Sequence, residues 1–96
     1  MDREIIIEKL KLYKKNSRYR KNIKDIGLFG SYAKGINTSK SDIDIFVKLE
    51  TPKMFDLIGI KNDLGKLLGK KVDIIILGKP VNKYLLNQIR QSGIYV

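Results

Sequence analysis

Two carboxylates stand one residue apart where an otherwise apolar strand begins, in Ser41-Asp42-Ile43-Asp44-Ile45-Phe46-Val47. Successive side chains of a strand point to opposite faces. Ile43, Ile45 and Val47 therefore share one face, and Asp42, Asp44 and Phe46 share the other. The fold must bury the first face in a core while the second holds two like charges roughly 6–7 Å apart along the chain. Carboxylates withdrawn from water side by side repel unless a cation or a proton lies between them. A hard divalent cation such as Mg²⁺, which prefers oxygen ligands and keeps waters that phosphate groups can replace, suits the pair. Taken alone, an Asp-x-Asp is more often a turn cap at the first acid and a solvated strand residue at the second.

Two further features bear on that choice. Asp73 is a third acid inside an apolar run, Lys71-Val-Asp-Ile-Ile-Ile-Leu77. A neighbouring position in one sheet would set it beside the pair, although an edge-strand charge that discourages aggregation is an equal reading of it alone. Upstream, Gly30 allows a sharp turn where a strand stops. Ser31 follows with a hydroxyl and nearby backbone N–H groups available to an oxyanion, unless it is an ordinary helix cap.

The 96 residues suffice for a single domain, residues 1–96, with no room for a separate substrate-binding unit. The chain has no cysteine and no histidine, which removes disulfides, thiolate nucleophiles, most zinc sites and any Ser-His-Asp triad. Carboxylates, hydroxyls, Tyr and Lys remain as candidate catalysts. Twenty Lys and Arg against ten Asp and Glu give a formal charge of +10, so an anionic partner or substrate is expected. The apolar run near the N-terminus is too short for a signal-peptide core and no segment approaches membrane-spanning length, which reads as a cytoplasmic chain with no membrane partner.

Periodicity predicts a helix from Asp2 to about Lys15, with Ile6, Leu10 and Tyr13 on its apolar stripe and Ile5 and Leu12 alongside. A strand follows over Ile23–Phe29, then a helical turn over Ser31–Lys34, a loop over Gly35–Ser41 and a strand over Asp42–Leu49. Thr51-Pro52 reads as a helix start, the hydroxyl capping a helix of about Lys53–Leu68 whose inward residues are Phe55, Ile58, Leu64, Leu67 and Leu68. Gly69 stops it. Strand Lys71–Leu77, a break at Gly78-Lys79-Pro80, a helix of about Val81–Ser92 and an apolar tail Gly93–Val96 complete the chain. The order αββαβα predicts an α/β (α+β) fold, a small mixed sheet flanked by helices. Gly65–Lys70 superficially suggests a Walker loop, but it has three residues between its glycines and Lys71 where Ser or Thr is required.

Gly30-Ser31, Ala33-Lys34-Gly35 and Ser41-Asp42-Ile43-Asp44 together resemble the signature of the DNA polymerase β-like nucleotidyltransferase superfamily, G-S-x-A-[RK]-G with a downstream S-D-x-D. The short length is similar to its minimal nucleotidyltransferases. That resemblance implies a polymerase β palm-like sheet, with Asp42, Asp44 and Asp73 as catalytic carboxylates holding two Mg²⁺ ions. It implies that Gly30 and Ser31 bind the phosphates of ATP. Lys34 would assist, although relatives more often carry Arg there. The resemblance further implies an antitoxin that transfers AMP to a tyrosine of a partner HEPN ribonuclease toxin.

The competing expectation is a binding module without catalysis, for protein or nucleic acid. Residues 9–24, KLKLYKKNSRYRKNIK, carry eight basic side chains and no acid, with Tyr13 and Tyr19 interleaved. Phosphates on Lys and Arg with bases stacked on Tyr would look like this; a solvated helix face running into a turn is the plainer reading.

Overall fold

The computed structural model describes residues 2–78 and 82–96. Helix α1 (Arg3–Asn16) is capped by Asp2, whose carboxylate accepts a hydrogen bond from the backbone N–H of Ile5 at 3.0 Å. Strand β1 (Ile23–Phe29) runs directly into the short helix α2 (Gly30–Lys34). Strand β2 (Ile43–Leu49), helix α3 (Met54–Leu68), strand β3 (Val72–Ile76), helix α4 (Lys83–Ser92) and a two-residue strand β4 (Ile94–Tyr95) follow. The predicted break at Lys79-Pro80 and the helix start at Val81 lie outside the described residues.

The sheet order is β3-β2-β1-β4. β1 is antiparallel to both β2 and β4, whereas β2 and β3 are parallel. Parallel neighbours need a crossover, and α3 supplies it. The alternation read in the sequence sorts the core into two sides. Ile26 and Leu28 of β1, Ile43, Ile45 and Val47 of β2, and Val72 of β3 pack under α1 and α3 with Ile6, Leu10, Ile60, Leu64 and Leu68. On the opposite face Phe29 and Phe46 pack against Ile89, with Leu85 and Ile75 beside them, so α4 covers that side.

Three expectations are corrected. In α3, Phe55, Ile58 and Leu67 are exposed, and Ile60, Leu64 and Leu68 form the buried line. The helix is rotated by polar and small residues with specific partners. Asp56 accepts from the Asn22 side chain at 2.9 Å, Asp63 accepts from the Tyr13 hydroxyl at 2.8 Å, and Gly59 lies against the Tyr19 ring. Ile5 and Leu12 of α1 are likewise exposed. Thr51 is not the cap of α3: the Asn22 amide takes its backbone, accepting from the Thr51 N–H at 2.7 Å and donating to its C=O at 2.8 Å, and the helix begins after Lys53.

The apolar tail is a strand. Ile94 pairs with Leu28 and Tyr95 with Gly27, and the Tyr95 ring meets Phe46 edge-on at 4.8 Å. Gly27 makes this closure fit, because a methyl there would collide with the Phe46 ring and the Ile94 carbonyl. Gly27→Ala is expected to destabilise the chain by about 1–3 kcal/mol through overpacking, visible as a lower urea midpoint and faster exchange of the Ile94–Tyr95 amides.

Candidate active site

The G-S turn and the Asp-x-Asp strand are built against each other. Phe29, the last residue of β1, pairs with Asp44 of β2, and Asp44 pairs in register with Asp73 of β3. The three form one row across the sheet on the α4 face, at the end where α2 begins. Asp44 is half-buried and Asp73 is exposed on the outermost strand. Asp73 thus lies on the outer strand and stands in register beside Asp44.

Gly30 opens α2 with a φ of +75°. Its missing side chain matters twice, since that backbone conformation favours glycine and the space a Cβ would fill is taken by the Asp44 carboxylate. The backbone at the turn therefore closes directly on the acid. Phe29 holds the cap position of α2 and has no side-chain oxygen with which to satisfy the first N–H groups. Ser31 lies inside the first turn, so it is not the cap. Its carbonyl accepts from the Ile36 N–H at 3.0 Å, which folds the following loop back over the turn. Lys34 ends α2, exposed and, among the described residues, without an ion pair.

Asp42 precedes β2 and is set by a local knot. Ser41 Oγ accepts from the Thr38 N–H at 2.8 Å, and the Ser41 N–H returns to the Thr38 carbonyl at 3.1 Å. Asp42 Oδ2 is 3.8 Å from Lys71 Nζ. Reading the sequence missed this partner and the work of Ser41. The position of Lys71 two residues before Asp73 was its only signal, and that signal becomes legible only once β2 and β3 are known to be parallel neighbours.

The electrostatics match the row. Burial pushes the Asp44 carboxyl above its ordinary value of 3.8, and repulsion from Asp73 and then Asp42 adds to it. Among the described residues no three acids are drawn together as a finished metal cage. The donor set nevertheless fits a hard divalent cation: oxygen ligands only, from adjacent strands, with an excess of negative charge at Asp44.

Elsewhere part of the basic segment is engaged within the fold. Lys9 Nζ donates to the Leu67 carbonyl at 3.2 Å, Lys14 Nζ to the Val96 carbonyl at 2.9 Å, and Arg18 lies 3.7 Å from Asp63. Tyr13 and Tyr19 pack against the main core, so neither offers an open ring as a base-stacking platform. Burial and the bond to Asp63 push the Tyr13 hydroxyl far above its usual value. Among the described residues no helix is long and apolar enough to cross a membrane.

The family model described as nucleotidyltransferase domain matches residues 7–96. A Methanocaldococcus jannaschii protein, named as a candidate protein adenylyltransferase, is 41% identical over 88 residues, covering 91% of this chain and 90% of that protein. A candidate minimal nucleotidyltransferase of known structure superposes with a TM-score of 0.75 at 28% identity, covering 98% of this chain and 95% of that one. A toxin–antitoxin structure solved with AMP-PNP gives a TM-score of 0.71 at 27% identity, over 94% of this chain and 70% of that chain.

Proposed function

The chain belongs to the nucleotidyltransferase domain family, and from that premise we propose that it is a Mg²⁺-dependent adenylyltransferase acting as an antitoxin: it moves AMP from ATP onto a tyrosine hydroxyl of a helical HEPN-type toxin. The observation that carries this reading is the closure of Gly30 onto Asp44 in the same row as Asp73. It brings a turn whose first backbone N–H groups have no side-chain cap within reach of a carboxylate pair, which is what a nucleoside triphosphate and its cations require. The relatives named as protein adenylyltransferases support a protein acceptor, and the toxin–antitoxin complex with AMP-PNP supports both the nucleotide and the kind of partner.

Each side chain has a task in that reading. Asp42, Asp44 and Asp73 would hold two Mg²⁺ ions, which when bound stabilise the attacking and leaving oxygens of an in-line displacement. Gly30 and Ser31 bind the β- and γ-phosphates through backbone N–H groups and the Ser31 hydroxyl. The acceptor oxygen forms a bond to the α-phosphorus as the bond to the bridging oxygen breaks. Pyrophosphate leaves, and the hydroxyl proton passes to the Asp73 carboxylate, which faces solvent and can release it. Lys34 contributes long-range attraction for the triphosphate without a fixed contact. In this reading the reaction takes place in the cytoplasm, and among the described residues no helix is long and apolar enough to cross a membrane.

Calorimetric titration with AMP-PNP and Mg²⁺ tests the nucleotide half of this proposal. Ser31→Ala is expected to weaken binding about tenfold, the loss of one hydrogen bond to a charged oxygen. An unchanged affinity would remove the Ser31 hydroxyl from phosphate binding and leave that role to the backbone N–H groups of the turn.

A further inference from the structure

Strand β3 is the outer strand on one side of the sheet, and the phase of its ladder fixes which backbone groups face outward. Ile43 donates to the Lys71 carbonyl at 3.0 Å and Leu77 donates to the Val47 carbonyl at 2.8 Å. Odd-numbered residues of β3 therefore bond to β2. By the alternation of a parallel ladder, Val72, Ile74 and Ile76 direct their N–H and C=O groups away from the sheet. Among the described residues no strand takes them up.

Two surfaces flank that edge on the α3 side. Beside Val72 lies a groove of about 430 Å³ whose lining includes Lys61, Lys66, Lys70 and Lys71. α3 turns back at Gly69 and packs on β3, and its N-terminal half carries Phe55 and Ile58 exposed. Phe55 is 87% exposed, Ile58 49% and Ile76 37%.

We propose that the β3 edge is the docking strand for an extended acidic segment of the protein acceptor, which adds to the sheet beside Val72–Ile76. The inference rests on the reading above that the acceptor is a protein. An added strand satisfies the outward backbone groups of Val72, Ile74 and Ile76. Its side chains on one face lie against the lysine groove and the apolar row, so acidic residues and aliphatic ones fit there. Those on the other face lie beside Asp73, and a hydroxyl residue in register with Asp73 is delivered to the carboxylate row. A second copy of this chain is disfavoured as the occupant because each copy carries +10. A nucleic acid satisfies the lysines but cannot continue a peptide ladder.

The probe is a synthetic peptide alternating Glu and Val around one Tyr, added to the intact protein with AMP-PNP and Mg²⁺ while amide exchange is followed by NMR. The amides of Val72, Ile74 and Ile76 are expected to gain at least about tenfold protection, with Asp73, Ile75 and Leu77 unchanged. Ile76→Pro, which removes one outward N–H, should block binding. The pair Lys61→Glu and Lys66→Glu, both on the exposed face of α3, should weaken it about tenfold or more and provides the test should the proline variant not fold.

No peptide binding overturns the proposal. So does protection that rises with protein concentration without peptide, which would mark a second copy, or tighter binding of single-stranded RNA to the same lysines with no amide protected. Transfer of AMP to a protein acceptor with the β3 amides unprotected removes the docking strand and leaves the adenylyltransferase reading standing. Protected amides without transfer to the tyrosine do the reverse.

Discussion

Asp44→Asn is expected to lower nucleotidyl transfer by on the order of a thousandfold or more while leaving the fold intact and more heat-stable at neutral pH. The two effects have one cause. Asp44 is held half-buried between Phe29 and Asp73, where the charge that chemistry needs is one that folding resists. Its carboxyl is raised in the native state by burial, then by Asp73 and Asp42. A raised acid contributes stability below its unfolded value and loses it as the pH climbs through the native value. Wild type and variant should therefore melt together in acid, near and below the ordinary value of 3.8, and separate as the pH rises toward 7 with the variant higher. Thermal melts across that range check the sign. A variant that is less stable at neutral pH would mean that the Asp44 charge is compensated within the apo fold, and full activity in it would remove Asp44 from the mechanism.

Gly30→Ala is expected to be the most damaging single methyl in the site. The backbone there has a φ of +75°, and the methyl would be driven into the Asp44 carboxylate. Holding a non-glycine residue in that conformation costs about 1–3 kcal/mol, and the clash is relieved by turning the Asp44 carboxylate aside or by separating the turn from β2, either of which pulls the phosphate-facing N–H groups and the carboxylate row apart. Both a lower melting temperature and loss of AMP-PNP affinity by about tenfold or more should result. Gly35 provides the control. It has nearly the same backbone angle, +73°, but open space where a methyl would go, so Gly35→Ala should cost about 1 kcal/mol and leave nucleotide affinity in place. Equal loss of affinity in both variants would mean that backbone strain, and not contact with Asp44, accounts for the effect.

These contrasts also mark what the chain discloses before it folds. The two faces of β2 were legible because strand alternation is strict and Ile43, Ile45 and Val47 are uniform. The neighbouring acids stood out because they interrupt that pattern. Asp73 could be suspected but not placed, since nothing in Val72–Ile76 states that β3 runs parallel to β2 in the register that sets Asp73 opposite Asp44. The face of α3 was misread for a different reason. Leu64 and Leu68 are buried as expected, but Phe55, Ile58 and Leu67 are as apolar as Ile60, and the rotation that buries Ile60 in their place is set by Asn22, Tyr13 and Tyr19, all distant in sequence. Strand β4 was hidden by its length, two residues being too few to show a period.

Nucleotidyl transfer is tested with ATP labelled with ³²P at either the α or the γ position. Each is incubated with Mg²⁺ and the protein in extract from its own source, with Asp44→Asn in parallel. Nucleotidyl transfer predicts label on a discrete protein from α-labelled ATP only, dependent on Asp44, with pyrophosphate released. Label from the γ position, or acceptor labelling that persists in Asp44→Asn, would contradict it.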